Sequence, residues 1–516
     1  MTTAAQPSHS QSEIERKYDV VEGASVPDLA AVDGVASVES REPVQLEAVY
    51  YDTDALDLAV RRIVVRRRTG GGDAGWHIKK PAAEGRTELH WPLGDDTGSV
   101  PDEILEPVRA WVRDRKLTPL ARISTRRTAI HLLDADGNGV VEIADDEVTA
   151  SDVRRGGERS WREWEVELLD SAPDTEEGRT ALLDAIEALI APAGARPSSS
   201  VAKVARALGV DSLTEVPGAP APATVANHAG PVTASAVLIP VIGDLVDALK
   251  LADPDSRADA DDAVHRMRTI VRRLRSVLAA YRSLFDGDST DDLRERLSTL
   301  GNVLGDARDL EVQRLRAEAL LDELGTADTD ARSRLVDAAR SRYVTAHDRL
   351  REVLSATEYY RLLDDLDAFV AHPPLSPRAS KPARKVIQKV LASETRRVAK
   401  RADAVSAAHD DLESRLHAVR RAGRRLRYAA EAASAIESRR ARATATAGER
   451  VQDTLGEHRD CVLFSSHLTS AADRAEAEGE KTAVYAALAE LSLRGGTAAL
   501  AESATALTEI RALVSR

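Results

Sequence analysis

The chain has 516 residues, 43% hydrophobic and 30% charged, with a formal net charge of −14. These proportions fit a soluble globular protein of two or three domains and count against a protein that meets nucleic acid with its whole surface. The single cysteine, Cys461, excludes an intrachain disulfide, no apolar stretch is long enough to predict a membrane span, and the polar first dozen residues predict no secretory signal.

In chain order, residues 1–10 read as a disordered tail. The segment SEIERKYDV follows, with Glu13, Glu15 and Lys17 on alternate positions. Alternate residues of a strand share a face, so these three point together and Arg16 points away. Short alternating runs continue through VQLEAVYYDT, RRIVVRRR, GWHIKKP, TELHWPL, GVVEIADDEV and WREWEVELL, separated by turn residues such as GGGD and DADGNG. They predict a meandering antiparallel sheet, with helical pieces near 103–115 and 175–191. A Pro/Ala/Gly-rich stretch, 210–235, reads as a flexible linker. From 236 to 516 the pattern is almost all helix. The fold class is therefore α+β: an antiparallel barrel of about eight strands with flanking helices, then an all-α bundle.

Two further strands repeat the pattern of the first. Arg66 and Arg68 share a face, and so do Glu163, Glu165 and Glu167, with Trp164, Val166 and Leu168 on the other side. Solvated outer faces with cross-strand ion pairs would explain any one run. Three such runs, each with an apolar opposite face, point instead to a closed barrel with a charged interior. Carboxylate pairs suit Mg2+ or Mn2+, and guanidinium and ammonium groups suit phosphate oxygens. A metal with a polyanionic phosphate satisfies both sets.

On these residues the first half, about 11–209, resembles the CYTH domain of the triphosphate tunnel metalloenzymes. The E-x-E-x-K of Glu13, Glu15 and Lys17 carries the resemblance. So do Arg66 and Arg68, Lys79 in WHIKKP, Arg86 and Glu88 in GRTEL, Arg126 and Arg127 in STRRT, Asp145 in IADD, the E-x-E of EWEVEL, and Lys203 in VAKVARAL. Arg62, His90 and Ala202 depart from the family pattern, at positions where glycine, an acid and serine are usual. The resemblance implies hydrolysis of a linear triphosphate with Mg2+ or Mn2+. Glu13, Glu15 and Lys17 would form the catalytic centre; Glu13, Glu15, Glu165 and Glu167 would hold the metal; Lys17, Arg66, Arg68, Lys79, Arg127 and Lys203 would hold the triphosphate.

The helical half repeats itself. VHRMRTIVRRLRSVLAAY begins at Val264 and LHAVRRAGRRLRYAAEAA at Leu416, so His265 and His417 are 152 residues apart; LGDARD and LGEHRD follow at an offset of 151. Two motifs sharing nearly one offset indicate a duplicated unit, with halves of about 236–372 and 373–516. At about 100° per residue, His265, Arg268, Arg272 and Arg275 fall within about 80° of arc, and His417, Arg420, Arg424 and Arg427 do the same. Lys385 and Lys389 form a further stripe. Like charges so spaced repel by a few tenths of a kcal/mol per pair, so the pattern points to an external anion with repeated phosphates. Gly305 and Gly456 read as packing residues, with Asp309 and Asp460 orienting Arg308 and Arg459.

These motifs resemble the CHAD domain, the conserved histidine α-helical domain, and CYTH followed by CHAD is a known arrangement. The resemblance implies a two-fold pseudo-symmetric bundle whose basic groove binds inorganic polyphosphate through these histidines, arginines and lysines. A cytoplasmic location, with association with polyphosphate granules, is expected. Other readings stay open at this point: a non-catalytic polyphosphate-binding or granule-targeting protein, a hydrolase of thiamine triphosphate, or an adenylate cyclase. Nucleic acid is disfavoured, since 3% aromatic content leaves few stacking platforms.

Overall fold

The structure is a computed structural model describing residues 9–94, 99–200, 202–210, 232–406, 411–434, 436 and 438–514. Most of the expected linker and residues 1–8 of the expected tail lie outside the described residues. The chain divides into two compact units at residues 224/225.

The first unit is a sheet of eleven strands: β1 (His9–Glu13), β2 (Glu15–Val20), β3 (Ser37–Ser40), β4 (Val44–Asp52), β5 (Val64–Thr69), β6 (Gly75–Pro81), β7 (Arg86–Pro92), β8 (Thr118–Leu133), β9 (Gly139–Asp152), β10 (Glu158–Leu168) and β11 (Ala195–Pro197). Strands β1 and β2 are one extended stretch broken at Ile14. Its first part pairs with β7 and its second with β10, which closes the order β7-β6-β5-β4-β8-β9-β10 into a ring. With β1 and β2 counted as one, the ring has the eight strands expected; β3 and β11 add to β8 and β2. His9 and Ser10 pair with His90 and Leu89, so strand pairing reaches into the segment read as a tail. Pairing with β7 uses backbone groups, to which the polar composition of HSQSE is no obstacle.

Helices cover the barrel where its outer face is apolar. α1 (Asp102–Leu105) and α2 (Arg109–Val112) pack Ile104 and Trp111 against Trp76 and Ile78, and α3 (Glu176–Ile190) packs Ile186 and Ile190 against Trp164 and Val166. Each such buried side chain contributes about 1.5–3 kcal/mol. Thr175 caps α3 by accepting from Gly178 N at 3.2 Å. α4 (Lys203–Ala207) plugs one end of the ring, placing Val204 and Ala205 against Tyr50, Val64 and Ile123. The plug leaves Lys203 as the charged residue facing the interior.

The second unit is helical: α5 (Ala234–Arg257), α6 (Ala263–Ala280), α7 (Gly287–Glu323), α8 (Thr329–Arg332), α9 (Ala338–Leu354), α10 (Thr357–Ala371), α11 (Ala383–Ser406), α12 (Leu412–Ala432), α13 (Ser438–Ala477) and α14 (Ala483–Val514). The duplication appears as α5/α11, α6/α12 and α7/α13. Reciprocal backbone bonds mark the pseudo-dyad: Ala234 N donates to Lys381 O at 3.0 Å, and Ala383 N to Val232 O at 2.9 Å. The matched helices α6 and α12 pack on each other, and the buried Tyr281 hydroxyl donates to Ala429 O at 2.8 Å. Among the described residues no helix is long and apolar enough to cross a membrane.

Candidate active site and anion-binding face

All ten residues expected in the barrel site line one cavity of about 250 Å³: Glu13, Glu15, Lys17, Arg66, Arg68, Lys79, Arg127, Glu165, Glu167 and Lys203. The alternation of each strand brings them there from β1, β2, β5, β6, β8, β10 and the plug helix. Arg86, Glu88, Glu142 and Asp73 join them, so the lining holds seven cations and seven carboxylates, with Tyr50 its one aromatic side chain. Arg16 is outside, paired with Asp184 at 2.7 Å and Glu187 at 2.9 Å on α3.

The ion pairs fall into two groups. Near the plug, Lys203 Nζ stands 2.7–2.8 Å from Asp146, Glu163 and Glu165. Arg127 grips Asp146 through two bonds, 2.8 and 2.7 Å, and reaches Glu165 at 2.8 Å. Burial opposes ionisation of Glu165, but Lys17, Lys203 and Arg127 outweigh it and hold its carboxyl well below the usual range. The same contest raises Lys203: burial lowers its pKa, and Asp146 and Glu165 more than reverse that.

The second group is less satisfied. Lys79 pairs with Glu13 through Oε1, while Glu13 Oε2 is buried without a hydrogen-bond partner. Lys17 pairs with Glu15 at 2.8 Å and with Glu165. Glu167 is pushed up to about 7 by burial first, then by Glu13, with Glu15 and Glu165 adding to it. Arg68 is pushed down to about 9 by burial and by Arg66 and Arg127, and pairs with Asp73 on the β5–β6 loop. His77 bridges Glu88 at 2.7 Å and the Asp73 carbonyl at 3.0 Å.

Two acidic groups are therefore candidates for a metal. Asp146, Glu163 and Glu165 place one oxygen each within 4.8 Å of one another, but the Lys203 ammonium already stands among them. Glu13, Glu15 and Glu167 carry an orphaned oxygen and a carboxyl that burial beside like charges drives toward protonation. A divalent cation with oxygen ligands relieves both strains, so these three are a second candidate set for a metal. Glu165, expected among the metal ligands, belongs to the first of these groups and also takes part in the ion pairs with Lys17, Lys203 and Arg127.

The inward aspartate is Asp146, not Asp145. Asp146 stands opposite Arg127 and Glu163 in register, whereas Asp145 stands opposite the outward Trp164 and pairs with Arg162 at 2.6 Å. Two adjacent acids cannot be told apart by composition; the register of β8 and β10 decides. Tyr50 and Glu142 also escaped the sequence reading, although alternation along β4 and β9 puts each on the inner face.

In the helical unit, α6 and α12 bring Arg268, Arg272, Arg275, Arg420, Arg424 and Arg427 into one field. Arg424 is pushed down to about 10 by burial and by Arg272 and Arg420, and Arg272 is lowered by burial, Arg268 and Arg420. Nε of Arg272 and of Arg420, and Nδ1 of His265, are buried without hydrogen-bond partners. Burial and Arg459 push His417 down to about 4; burial and Arg308 lower His265.

The L-G-x-x-R-D motifs serve this cluster differently from expectation. Gly305 and Gly456 make room for guanidinium groups: a Cβ would come within 3.4 Å of Arg268 and 3.1 Å of Arg420. Asp309 pairs with Arg268 at 3.3 Å, and Asp460 is the foremost acid acting on Arg420. Arg308 and Arg459, which the aspartates were expected to orient, stand by the histidines instead; Arg459 Nη1 lies 3.0 Å from His417 Nε2. Lys385 and Lys389 are not in the cluster. They line a separate groove that α11 forms with the end of α6.

Comparison with known proteins places this arrangement. A CYTH domain profile matches residues 11–194 and a CHAD domain profile residues 241–469. The chain thus belongs to the family of proteins that join a CYTH domain to a CHAD domain. It is 38% identical over 496 residues to the uncharacterized protein MT2285 of Mycobacterium tuberculosis, covering 92% of each chain. Among solved structures, it is similar to the CHAD domain from Ricinus communis (23% identity, TM-score 0.41, 58% of this chain and 96% of that one). It is also similar to HpAC1 from Hippeastrum, described as having a dominant triphosphatase activity (17% identity, TM-score 0.24, 38% of this chain and 94% of that one). CYTH domains are metal-dependent and bind triphosphates, and the family includes triphosphatases and cyclases.

Proposed function

We propose that the barrel hydrolyses inorganic triphosphate with Mg2+ or Mn2+, and that the helical unit binds inorganic polyphosphate. The observation that carries the first part is the cavity itself: seven cations and seven carboxylates around about 250 Å³, with one aromatic side chain. That lining answers phosphate oxygens and a metal on every wall and offers little to a base or a thiazole ring.

In this reading Arg66, Arg68, Arg127 and Lys79 hold phosphate oxygens from several walls and fix the chain along the cavity. Lys17 stands between Glu15 and Glu165, poised to hand its charge to a phosphate oxygen. Asp146, Glu163 and Glu165 keep Lys203 and Arg127 in place. Glu13, Glu15 and Glu167 hold the divalent cation, which supplies charge neutralisation and an acidified water when bound. Phosphoryl transfer then needs positioning and charge stabilisation rather than a covalent nucleophile.

The six arginines, two of which (Arg272 and Arg420) have a buried Nε without a partner, support polyphosphate as ligand of the helical unit. The test is phosphate release by the full chain from inorganic triphosphate, long polyphosphate, ATP and thiamine triphosphate, each with Mg2+ and with Mn2+. Inorganic triphosphate should be the best substrate; equal or faster release from either organic triphosphate would overturn the assignment.

A further inference from the structure

The arginine cluster is built by duplication, yet its two sides differ. Arg427, on the α12 side, pairs with Glu431 at 2.9 Å and Glu449 at 2.7 Å, and Glu431 also takes Arg273 at 3.1 Å. Its counterpart Arg275, 152 residues earlier, has no carboxylate at salt-bridge distance among the described residues; burial and the charge of Arg294 lower its pKa. The position matching Glu431 at that offset is Ala279. Ala279 follows Arg272 by seven residues, so it lies on the same edge of α6 two turns on. The cluster is closed by acids on the α12 side and open on the α6 side.

One turn beyond Arg275, Ala279 lines a groove of about 710 Å³ between the end of α6 and α11. Ala279, Ala280, Val386 and Val390 form an aliphatic floor, and the rim carries Arg378, Lys381, Lys385, Lys389 and Arg397. The one carboxylate there, Glu394, is buried and gripped by Arg425 through bonds of 2.7 and 2.9 Å. The first repeat has no such rim. At the offset of 149 residues that the reciprocal backbone bonds define, Lys381, Lys385, Lys389 and Arg397 correspond to Val232, Ala236, Pro240 and Ala248. A row of cations added to one repeat alone serves something the two-fold cluster does not.

Resting on the polyphosphate reading above, we propose that an inorganic polyphosphate chain longer than the arginine cluster leaves it past Arg275, on the side without acids, and continues along the α6–α11 groove. The two-fold cluster then holds a short segment of any chain, and the α11 lysines give preference to long ones. The lining has no aromatic side chain on which a base could stack, and its large excess of cations suits a linear polyanion. Each lysine that meets the chain releases counterions and adds to the salt dependence of binding.

The test uses the full chain, polyphosphates of about 10 and about 100 phosphates, and a titration at several salt concentrations. The double variant Lys385→Glu/Lys389→Glu should bind the long chain at least about tenfold more weakly, lower its salt slope by about two, and leave the short chain within about twofold of wild type. Retained short-chain binding also shows that the variant is folded. Arg340→Glu/Arg361→Glu makes the same change in net charge on other exposed arginines and should leave both lengths unaffected. The inference is overturned if the lysine variant keeps long-chain affinity, loses both lengths equally, or loses no more than the arginine control. Wild-type protein that binds neither length would instead sink the polyphosphate reading, and this inference with it.

Discussion

The barrel interior and the α6–α12 face both concentrate charge, in opposite ways. In the barrel the signs balance: Lys79 faces Glu13, Lys17 faces Glu15, and Lys203 faces three acids. On the helices one sign dominates, and arginines depress one another. A balanced interior can stay closed and dry-walled without ligand, with each ion pair ready to exchange a partner for metal or phosphate. An unbalanced face needs an anion from outside. The first suits chemistry on a small charged substrate; the second suits retention of a long one.

The comparison can be broken from the barrel side first. Lys203→Met leaves Asp146, Glu163 and Glu165 crowded without their shared cation, and should cost the barrel about 3–5 kcal/mol, read as a lowered denaturant midpoint. If stability is unchanged, the triad was never held by Lys203. On the helical side, Arg272→Glu/Arg424→Glu should weaken polyphosphate binding by at least about a hundredfold while triphosphate hydrolysis stays within about twofold; equal loss of both would show one shared site.

Acid sharpens the contrast further. His417 is neutral in the fold down to about 4, whereas the unfolded chain takes up that proton near about 6.5. The stability tied to the neutral ring is thus lost as pH falls from about 6.5 to about 4. Thermal melts across that window should show it, and His417→Gln should flatten the slope. The smallest effect concerns Arg62, which adopts φ 57°, a conformation that glycine takes without strain. Arg62→Gly should raise barrel stability by about 0.5–1 kcal/mol, by chemical denaturation.

Much of this was legible in period-two alternation. EIERK, VVRRR and WREWEVE each name an inward set, and those sets meet in one cavity. The helical stripes were legible because one 152-residue offset repeats both histidine and arginines. What the residues alone could not say depends on register and superposition. Asp145 and Asp146 differ only in what stands across from them on β8 and β10. The partners of Asp309 and Asp460 depend on how closely α7 and α13 approach α6 and α12. Lys385 and Lys389 have the right charge and spacing, and only helix packing shows that they face another groove. The acids that close the Arg427 side are visible only when one repeat is laid on the other.

The central claim is that Glu13 belongs to a metal-dependent hydrolytic centre inside the barrel, while Arg16, three residues on, merely ties β2 to α3. Phosphate release from inorganic triphosphate with Mg2+ or Mn2+ tests it most directly, comparing wild type, Glu13→Ala and Arg16→Ala as full chains. Wild type and Arg16→Ala should release phosphate at rates within about threefold of each other, and Glu13→Ala should be slower by about a hundredfold or more. Equal, slow release by wild type and Glu13→Ala would contradict the account.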